Sequence, residues 1–401
     1  MSSVDSSSSS DADADASSSS QRESLETLLR STLPMDEVVY AFGYGSGVFS
    51  QEIISHDEQQ NENSTNDAEM ETKVIDMIVV VQDDLAFHRA NVALNPSHYS
   101  SGMRRSDQAT AAWCIWWQRH TPPRWLGRNP GVYFFLTDTV KYGVVQVDDL
   151  RDDLKEWKYL YLAGRMQKPV LTLIDDRRDE ITPAVDNNHG VPSISHLQQS
   201  VNLPAALASS LLLLSNDEND NSTTSPEGQT TTTTASEIYQ QIAKLSYLGD
   251  FRVAYGAEDP QKIQRLVEGP GQLERFESLY AHATAALQQQ GILSIIKEDT
   301  GCTTLNLDST TTSSETTVRP LKTTTWSWDT SPTAQQFLWN QLPFVTPTSS
   351  PNGYQHDLNT RLAGIVAPTA RYQSFKGIVT AGPQKAWNYA ARKLAKGLLR
   401  R

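Results

Sequence analysis

Three glycines fall within five residues of the segment Phe42-Gly43-Tyr44-Gly45-Ser46-Gly47-Val48-Phe49. Without side chains, such positions let backbone N–H groups turn inward and approach a polyphosphate closely, and the Ser46 hydroxyl adds a donor. No Lys-Ser/Thr pair follows, so this is not a Walker A loop, and the G-x-G-x-x-G spacing of dinucleotide sites is absent. The second signal is Asp76, the one carboxylate in an apolar run over residues 74–81. An ionised Asp is costly to bury alone, so it must meet a cation, a ligand or strong donors. A strand-end Asp beside a glycine turn suits a phosphate-bound Mg²⁺.

Alternating β-branched and aromatic runs predict strands over 38–42, 74–82, 132–136, 142–147 and 170–174. Helical patterns are expected over 24–31, 109–117 and 150–166, which makes residues 22–175 an α/β unit. From 176 to 344 helical patterns dominate, over 204–214, 236–246, 260–266 and 271–290. Tracts rich in Ser, Thr, Asn and Asp at 1–21, 55–70, 215–236 and 303–324 read as a disordered tail and disordered insertions, and 345–401 reads as a linker and tail. Deletion of 215–236 is expected to be tolerated. Trp113, Trp116 and Trp117, at i, i+3 and i+4, read as helix core.

The formal charge is −13, but no acidic residue follows Asp357, and the last 44 residues carry nine Lys or Arg. An acidic body argues against nucleic acid as a partner. The two cysteines, Cys114 and Cys302, lie far apart and support neither a disulfide framework nor a CxxC metal site. No stretch approaches the ~18 apolar residues of a membrane span, so membrane contact is expected to be peripheral. The first twenty residues lack Lys and Arg, unlike a secretory signal or a mitochondrial presequence. Nothing in the composition specifies an oligomeric state.

A longer series of motifs carries a family resemblance. Tyr44-Gly45-Ser46-Gly47-Val48-Phe49, Asp76-Met77-Ile78, Asp83-Asp84, His88, Asn95-Pro96-Ser97-His98-Tyr99-Ser100 and Lys141-Tyr142-Gly143-Val144 occur in order. Tyr161-Leu162-Ala163-Gly164-Arg165-Met166-Gln167-Lys168-Pro169-Val170, Leu245-Ser246-Tyr247-Leu248-Gly249-Asp250-Phe251-Arg252 and Ser374-Phe375-Lys376-Gly377-Ile378 complete it. The series resembles the mitochondrial phosphatidate cytidylyltransferases, also called translocator assembly and maintenance proteins. The resemblance implies a nucleotidyltransferase-like α/β domain followed by a mostly helical, winged-helix-like domain. It also implies Mg²⁺-dependent reaction of CTP with phosphatidic acid to give CDP-diacylglycerol and pyrophosphate, on the matrix side of the mitochondrial inner membrane. Tyr44, Gly45, Ser46, Gly47 and Lys168 would then hold the nucleotide, with Ser46, Asp76 and Lys141 catalytic. Asp76 would bind the metal with Asp84 as a candidate second carboxylate, because Ile78 stands where the superfamily's Asp-x-Asp pattern has its second acid. His88, His98, Arg165 and Lys376 are candidates for the lipid phosphate. Ile78 also leaves open a noncatalytic scaffold for translocase assembly, and the superfamily an acceptor other than lipid.

Beyond Gly382-Pro383, a helical projection puts Trp387, Ala390, Ala391, Leu394 and Leu398 on one face and Lys385, Arg392, Lys393, Lys396 and Arg400 on the other. That is the layout of an interfacial helix on an anionic membrane, with Trp at the headgroup boundary.

Overall fold

In the computed structural model the residues described are 9–49, 74–99, 106–137, 139–175, 192–215, 230–250, 252, 261–296, 324–344 and 354–381. The chain opens with α1 (Ser9–Thr32) and β1 (Val38–Tyr44), then β2 (Ile75–Val81), α2 (Asp84–Leu94), α3 (Asp107–Arg119), β3 (Tyr133–Leu136) and β4 (Val140–Gln146). Helices α4 (Val147–Glu156) and α5 (Ala163–Met166) precede β5 (Leu171–Asp175). These strands form one sheet in the order β3-β4-β2-β1-β5, with β2 and β4 parallel and the other neighbours antiparallel.

Strand alternation divides this sheet between two cores. Ile78 and Val80 of β2 join Leu150, Leu154 and the later helices on one face, while Met77, Val79 and Val81 pack with Phe87 and Cys114 on the other. Burial on both faces is why β2 reads as a continuous apolar run rather than an alternating one.

The second half is mostly helical: α6 (Ile194–Leu197), α7 (Leu203–Leu214), α8 (Ala235–Leu245), α9 (Lys262–Glu268), α10 (Gln272–Gln289), α11 (Pro332–Asn340) and α12 (Tyr354–Ala381). It also contains a small antiparallel sheet of β6 (Thr230–Thr234), β7 (Leu293–Ile296) and β8 (Thr325–Asp329), in the order β6-β8-β7. The helical stretch Ile194–Leu214 is long and apolar enough to cross a membrane by composition, but 72% of its window is buried within the protein. It is the apolar centre of the helical half.

Three expectations are corrected. The tail expected over 1–21 is helical from Ser9, and Leu25, Leu29 and Leu33 bury its later turns. The tract 345–401 holds a 28-residue helix from Tyr354, anchored by buried Leu358, Leu362 and Val366 at every fourth position. In the tract 215–236, Thr230–Thr234 is a strand, because β-branched threonines pair with β8, whose Trp326 and Trp328 supply the apolar side. Thr234 then closes a capping box with Glu237, and Ser215 Oγ accepts from Trp328 Nε1. Deleting 215–236 is therefore expected to destabilise the protein, contrary to its composition. A cooperative thermal transition at the parent's temperature would overturn this.

The insertion at 55–70, residues 303–323 of the insertion at 303–324, and the basic segment from Gly382, with Lys385, Trp387, Arg392, Lys393, Lys396 and Arg400, lie outside the described residues.

Candidate active site

The glycine turn leaves the end of β1. Gly45 has φ +79, and its carbonyl accepts from the N–H groups of Val48 and Phe49 at 3.1 and 2.9 Å. Gln21 Nε2 donates to Val48 O at 2.9 Å, so the middle of α1 braces the turn. Gly47 is required for another reason. A Cβ there would lie 2.7 Å from Val74 O and 3.1 Å from Ile75 Cα, where the turn crosses the start of β2. Gly47→Ala is thus expected to push the turn off β2 and cost about 1–3 kcal/mol. Gly45→Ala has open space around it and costs only the left-handed strain of roughly 1–2 kcal/mol. Denaturant melts alone would not separate the two, but nucleotide affinity would, falling further for Gly47→Ala.

Sheet register brings the polar groups together. Tyr44 on β1 pairs with Asp76 on β2, and Asp76 pairs with Lys141 on β4. Lys141 Nζ lies 3.3 Å from Asp76 Oδ1 and 5.1 Å from the Phe134 ring centre. Burial raises the pKa of the Tyr44 phenol, so it stays neutral. Ser46 is exposed at the tip of the turn.

Arg165 and Lys168 reach this end of the sheet from α5 and the turn after it. The Arg165 guanidinium stacks 3.9 Å from the Tyr161 ring and 5.3 Å from the Tyr44 ring, and Nη1 donates to Tyr161 O at 2.6 Å. Its Nε is buried without a hydrogen-bond partner, an orphan donor suited to a phosphate oxygen. Lys168 Nζ donates to Ser246 Oγ at 2.7 Å and lies 5.2 Å from the Tyr247 ring, which Lys262 also approaches at 5.2 Å. Burial of its ammonium, reinforced by Arg165 and Lys262, pulls the Lys168 pKa down to about 7. Gly164 permits this contact, since a Cβ there would meet Ser246 Cβ at 2.5 Å.

One side chain holds the loop between α4 and α5. The single helix expected over 150–166 is broken because the buried Asp153 carboxylate accepts from the N–H groups of Tyr159, Leu160, Tyr161, Leu162 and Ala163 at 2.7–3.0 Å. Burial pushes its pKa up and the N–H donors pull against that. Trp157 and Leu160 take φ of 50 in this loop. The clasp sets where Tyr161 and Arg165 stand.

Four sequence candidates stand elsewhere. Asp84 is corrected as a metal ligand: it follows the far end of β2, and five residues from Asp76 to Val81 span about 17 Å of strand. It is fully buried in an ion pair with Arg119, whose Nε lies 2.9 Å from Oδ2. His88 is buried among Phe87, Tyr133 and Phe135, bonded to Gln118 at 2.9 Å, with burial lowering its pKa to about 4. His98 Nδ1 meets Tyr142 Oη at 2.7 Å, and Tyr142 points to the sheet face opposite Lys141. Lys376 is buried beside Tyr133 and Tyr372, 3.3 Å from Asn129 Oδ1, and burial lowers its pKa to about 7. All four lie on the α2, α3 and α12 side.

Tyr161, Ser246, Tyr247, Lys262 and Asp153 complete the site without having been assigned roles from sequence. The first three lie in the family motifs, which was the signal available for them. Lys262 carried none. Among the described residues no group of three or more His, Cys, Asp or Glu is placed to hold a metal. Asp76 is one carboxylate beside a phosphate-sized turn, a donor set that fits Mg²⁺ when substrate phosphates supply further oxygens.

A glycine turn, one strand-end carboxylate and the cations Lys141, Arg165, Lys168 and Lys262 gather at one end of the sheet of an α/β protein, an arrangement whose donors and charge are of the kind that suits a polyanion. The chain belongs to the family described as phosphatidate cytidylyltransferase, mitochondrial, whose model matches residues 25–396. Curated relatives of that name are similar to it. The Xenopus laevis protein is 30% identical over 402 residues, 92% of this chain and 93% of its own. The Caenorhabditis briggsae protein is 30% identical over 247 residues, 60% of this chain. The Saccharomyces cerevisiae protein is 29% identical over 246 residues, 60% of this chain. The matched segment spans 59% of the Caenorhabditis briggsae relative and 50% of the yeast one.

Proposed function

We propose that this chain joins the cytidylyl group of CTP to phosphatidic acid, producing CDP-diacylglycerol and pyrophosphate for phosphatidylglycerol and cardiolipin synthesis. The observation that carries the reading is the register Tyr44–Asp76–Lys141 beside Arg165 and Lys168, in a chain of this family. A phosphatidate oxygen attacks the α-phosphorus in line, and a P–O bond to pyrophosphate breaks. Such chemistry depends on orientation and charge neutralisation. The N–H groups of the 45–47 turn and the Ser46 hydroxyl cradle the triphosphate. Lys141, Arg165 and Lys168 offset its charge, and the neutral Tyr44 phenol donates or accepts without adding to it. Asp76 would hold Mg²⁺, which supplies Lewis-acid polarisation of phosphoryl oxygens when bound.

The relatives' name supports a mitochondrial location. The basic end of the chain supports peripheral attachment to an anionic membrane, on the matrix side of the inner membrane. The small sheet β6-β8-β7 with its helices supports a winged-helix-like second unit.

Purified protein given CTP, Mg²⁺ and phosphatidic acid should form CDP-diacylglycerol, identified by lipid analysis, whereas RNA and protein acceptors should gain no label. Nucleotide transfer to either of those, with none to lipid, would overturn the reading.

Lys168 also sets a pH dependence. Its folded pKa of about 7 lies below the roughly 10.4 of an unfolded lysine. The unfolded chain therefore binds more protons between those values, and this group makes the free protein more stable as pH rises from 7 to 10. A triphosphate favours the ammonium form, so nucleotide affinity moves the other way. CTP binding is expected to weaken by up to about tenfold per unit above pH 7, with proton uptake in calorimetry at pH 8. Lys168→Met should abolish that uptake. Affinity that stays level from pH 7 to 9 would sink this role.

A further inference from the structure

We infer that the outer face of α3 and the adjoining part of α12 form a preformed docking surface for an anionic lipid bilayer. The inference rests on the lipid-substrate reading above and names the surface that meets the membrane among the described residues.

Trp113 and Trp116 were expected in the helix core, yet they are 40% and 52% exposed, and Phe375 on α12 is 41% exposed. Only Trp117 is buried. Their rings are continuous, with centroids 5.9 Å apart for Trp113–Trp116, 5.0 Å for Trp116–Trp117 and 6.5 Å for Trp117–Phe375. The patch is also fixed from beneath. His120 stacks 4.2 Å from Trp116 and meets the Tyr372 hydroxyl at 3.0 Å through Nε2. The loop that follows carries Trp125, 77% exposed, and is tied to α12 where Arg128 N donates to Pro368 O at 3.2 Å. Trp113, Trp116 and Phe375 held outward on this base, with Trp125 exposed in the loop that follows, are a poor solution for a water-facing surface and mark an interaction site.

Charge selects the occupant. Arg124, next to Trp125 in the loop after α3, and Arg371 on α12 are exposed. Arg371 precedes Phe375 by four residues and so shares its helix face. Arg119 is already neutralised by Asp84. The segment after Ala381 adds six Lys or Arg and no acid. That segment would meet like charge on this patch. An anionic bilayer offers the opposite sign together with an interface that favours Trp. Edge strand β3 links this face to the nucleotide end: Tyr133 lies 6.0 Å from Lys376 beneath the patch, and its neighbour Phe134 lies under Lys141. Docking would lay that edge along the membrane.

The test uses full-length protein floated with vesicles of phosphatidylcholine alone or of phosphatidylcholine with phosphatidylglycerol. The Trp113→Ala/Trp116→Ala double variant should bind the anionic vesicles about tenfold less or weaker still, and Trp113→Phe/Trp116→Phe should retain most binding. CTP affinity should not change in either. Tryptophan emission should shift to the blue on anionic vesicles in the parent. Equal flotation of the double alanine variant and the parent overturns the inference, as does binding lost only on removal of 382–401. A concentration-dependent mass that the alanine variant abolishes without lipid would make the occupant a second copy and overturn it too. Conversion of detergent-dispersed phosphatidic acid separates this result from the reaction. Its absence in the parent sinks the proposed activity and leaves the flotation result standing, while normal conversion in the alanine variant assigns the loss to docking.

Discussion

Asp76→Asn is expected to lower turnover by about 10²–10³-fold while leaving the fold intact, in line with the loss of one preorganised charge contact at a phosphoryl centre. The substitution keeps the shape and removes the charge. Asp76 is one third exposed and its pair with Lys141 is 3.3 Å long, so the loss should change stability by less than about 1 kcal/mol. Lys141 would lose this one charge partner beside the glycine turn. Steady-state kinetics with CTP and phosphatidic acid, alongside a urea melt, check both halves. Parent-like turnover would remove Asp76 from the chemistry, and a large drop in melting midpoint would reassign it to structure.

Asp153→Ala carries the largest expected effect on stability. Five backbone N–H groups converge on one carboxylate, and removing it leaves them without that acceptor, those of Leu160, Leu162 and Ala163 buried. Breaking a buried charge network of this kind costs on the order of 3–5 kcal/mol, a large share of the roughly 5–15 kcal/mol that holds a domain together. Asp153→Asn should be nearly as damaging, because the amide turns one oxygen into a donor facing N–H groups. Denaturant midpoints read the loss directly. Where a variant still folds, nucleotide affinity should also fall, since the released loop carries Tyr161 and leads into Arg165. A stability within about 1 kcal/mol of the parent for Asp153→Asn would refute the clasp.

The two carboxylates show which parts of the site were legible beforehand. Asp76 stood out because its neighbours are apolar, and an isolated charge in such a run demands a partner. Asp153 did not, because it sits among Asp148, Asp149 and Asp152, where an acidic helix start already has an explanation in the helix dipole. Its partners are the backbone of the next ten residues, and the chain had to leave the helix at Trp157 to present them. Periodicity continued the helix across that point because apolar residues there serve a loop core instead.

Asp84 shows the opposite error. Nearness in sequence to Asp76 suggested a shared ion, but a strand is straight and extended, so residues at its two ends are far apart. Lys168 and Ser246 are separated by 78 residues and meet at 2.7 Å. The threonine strand β6 was hidden in a polar tract because its apolar partners lie on β8, about a hundred residues later.

What this chain's sequence determined by itself was local: the glycine turn, the buried strand with its single carboxylate, the helices at 203–214, 235–245 and 272–289, and, through the ordered motifs, the family. These follow from side-chain type and period, which act over a few residues. The tertiary structure decided which charges face the turn, which are neutralised elsewhere, and which tryptophans remain outside. Those outcomes depend on sheet register and on helices packing across long separations, where burial and distance, rather than residue type, set what a side chain does.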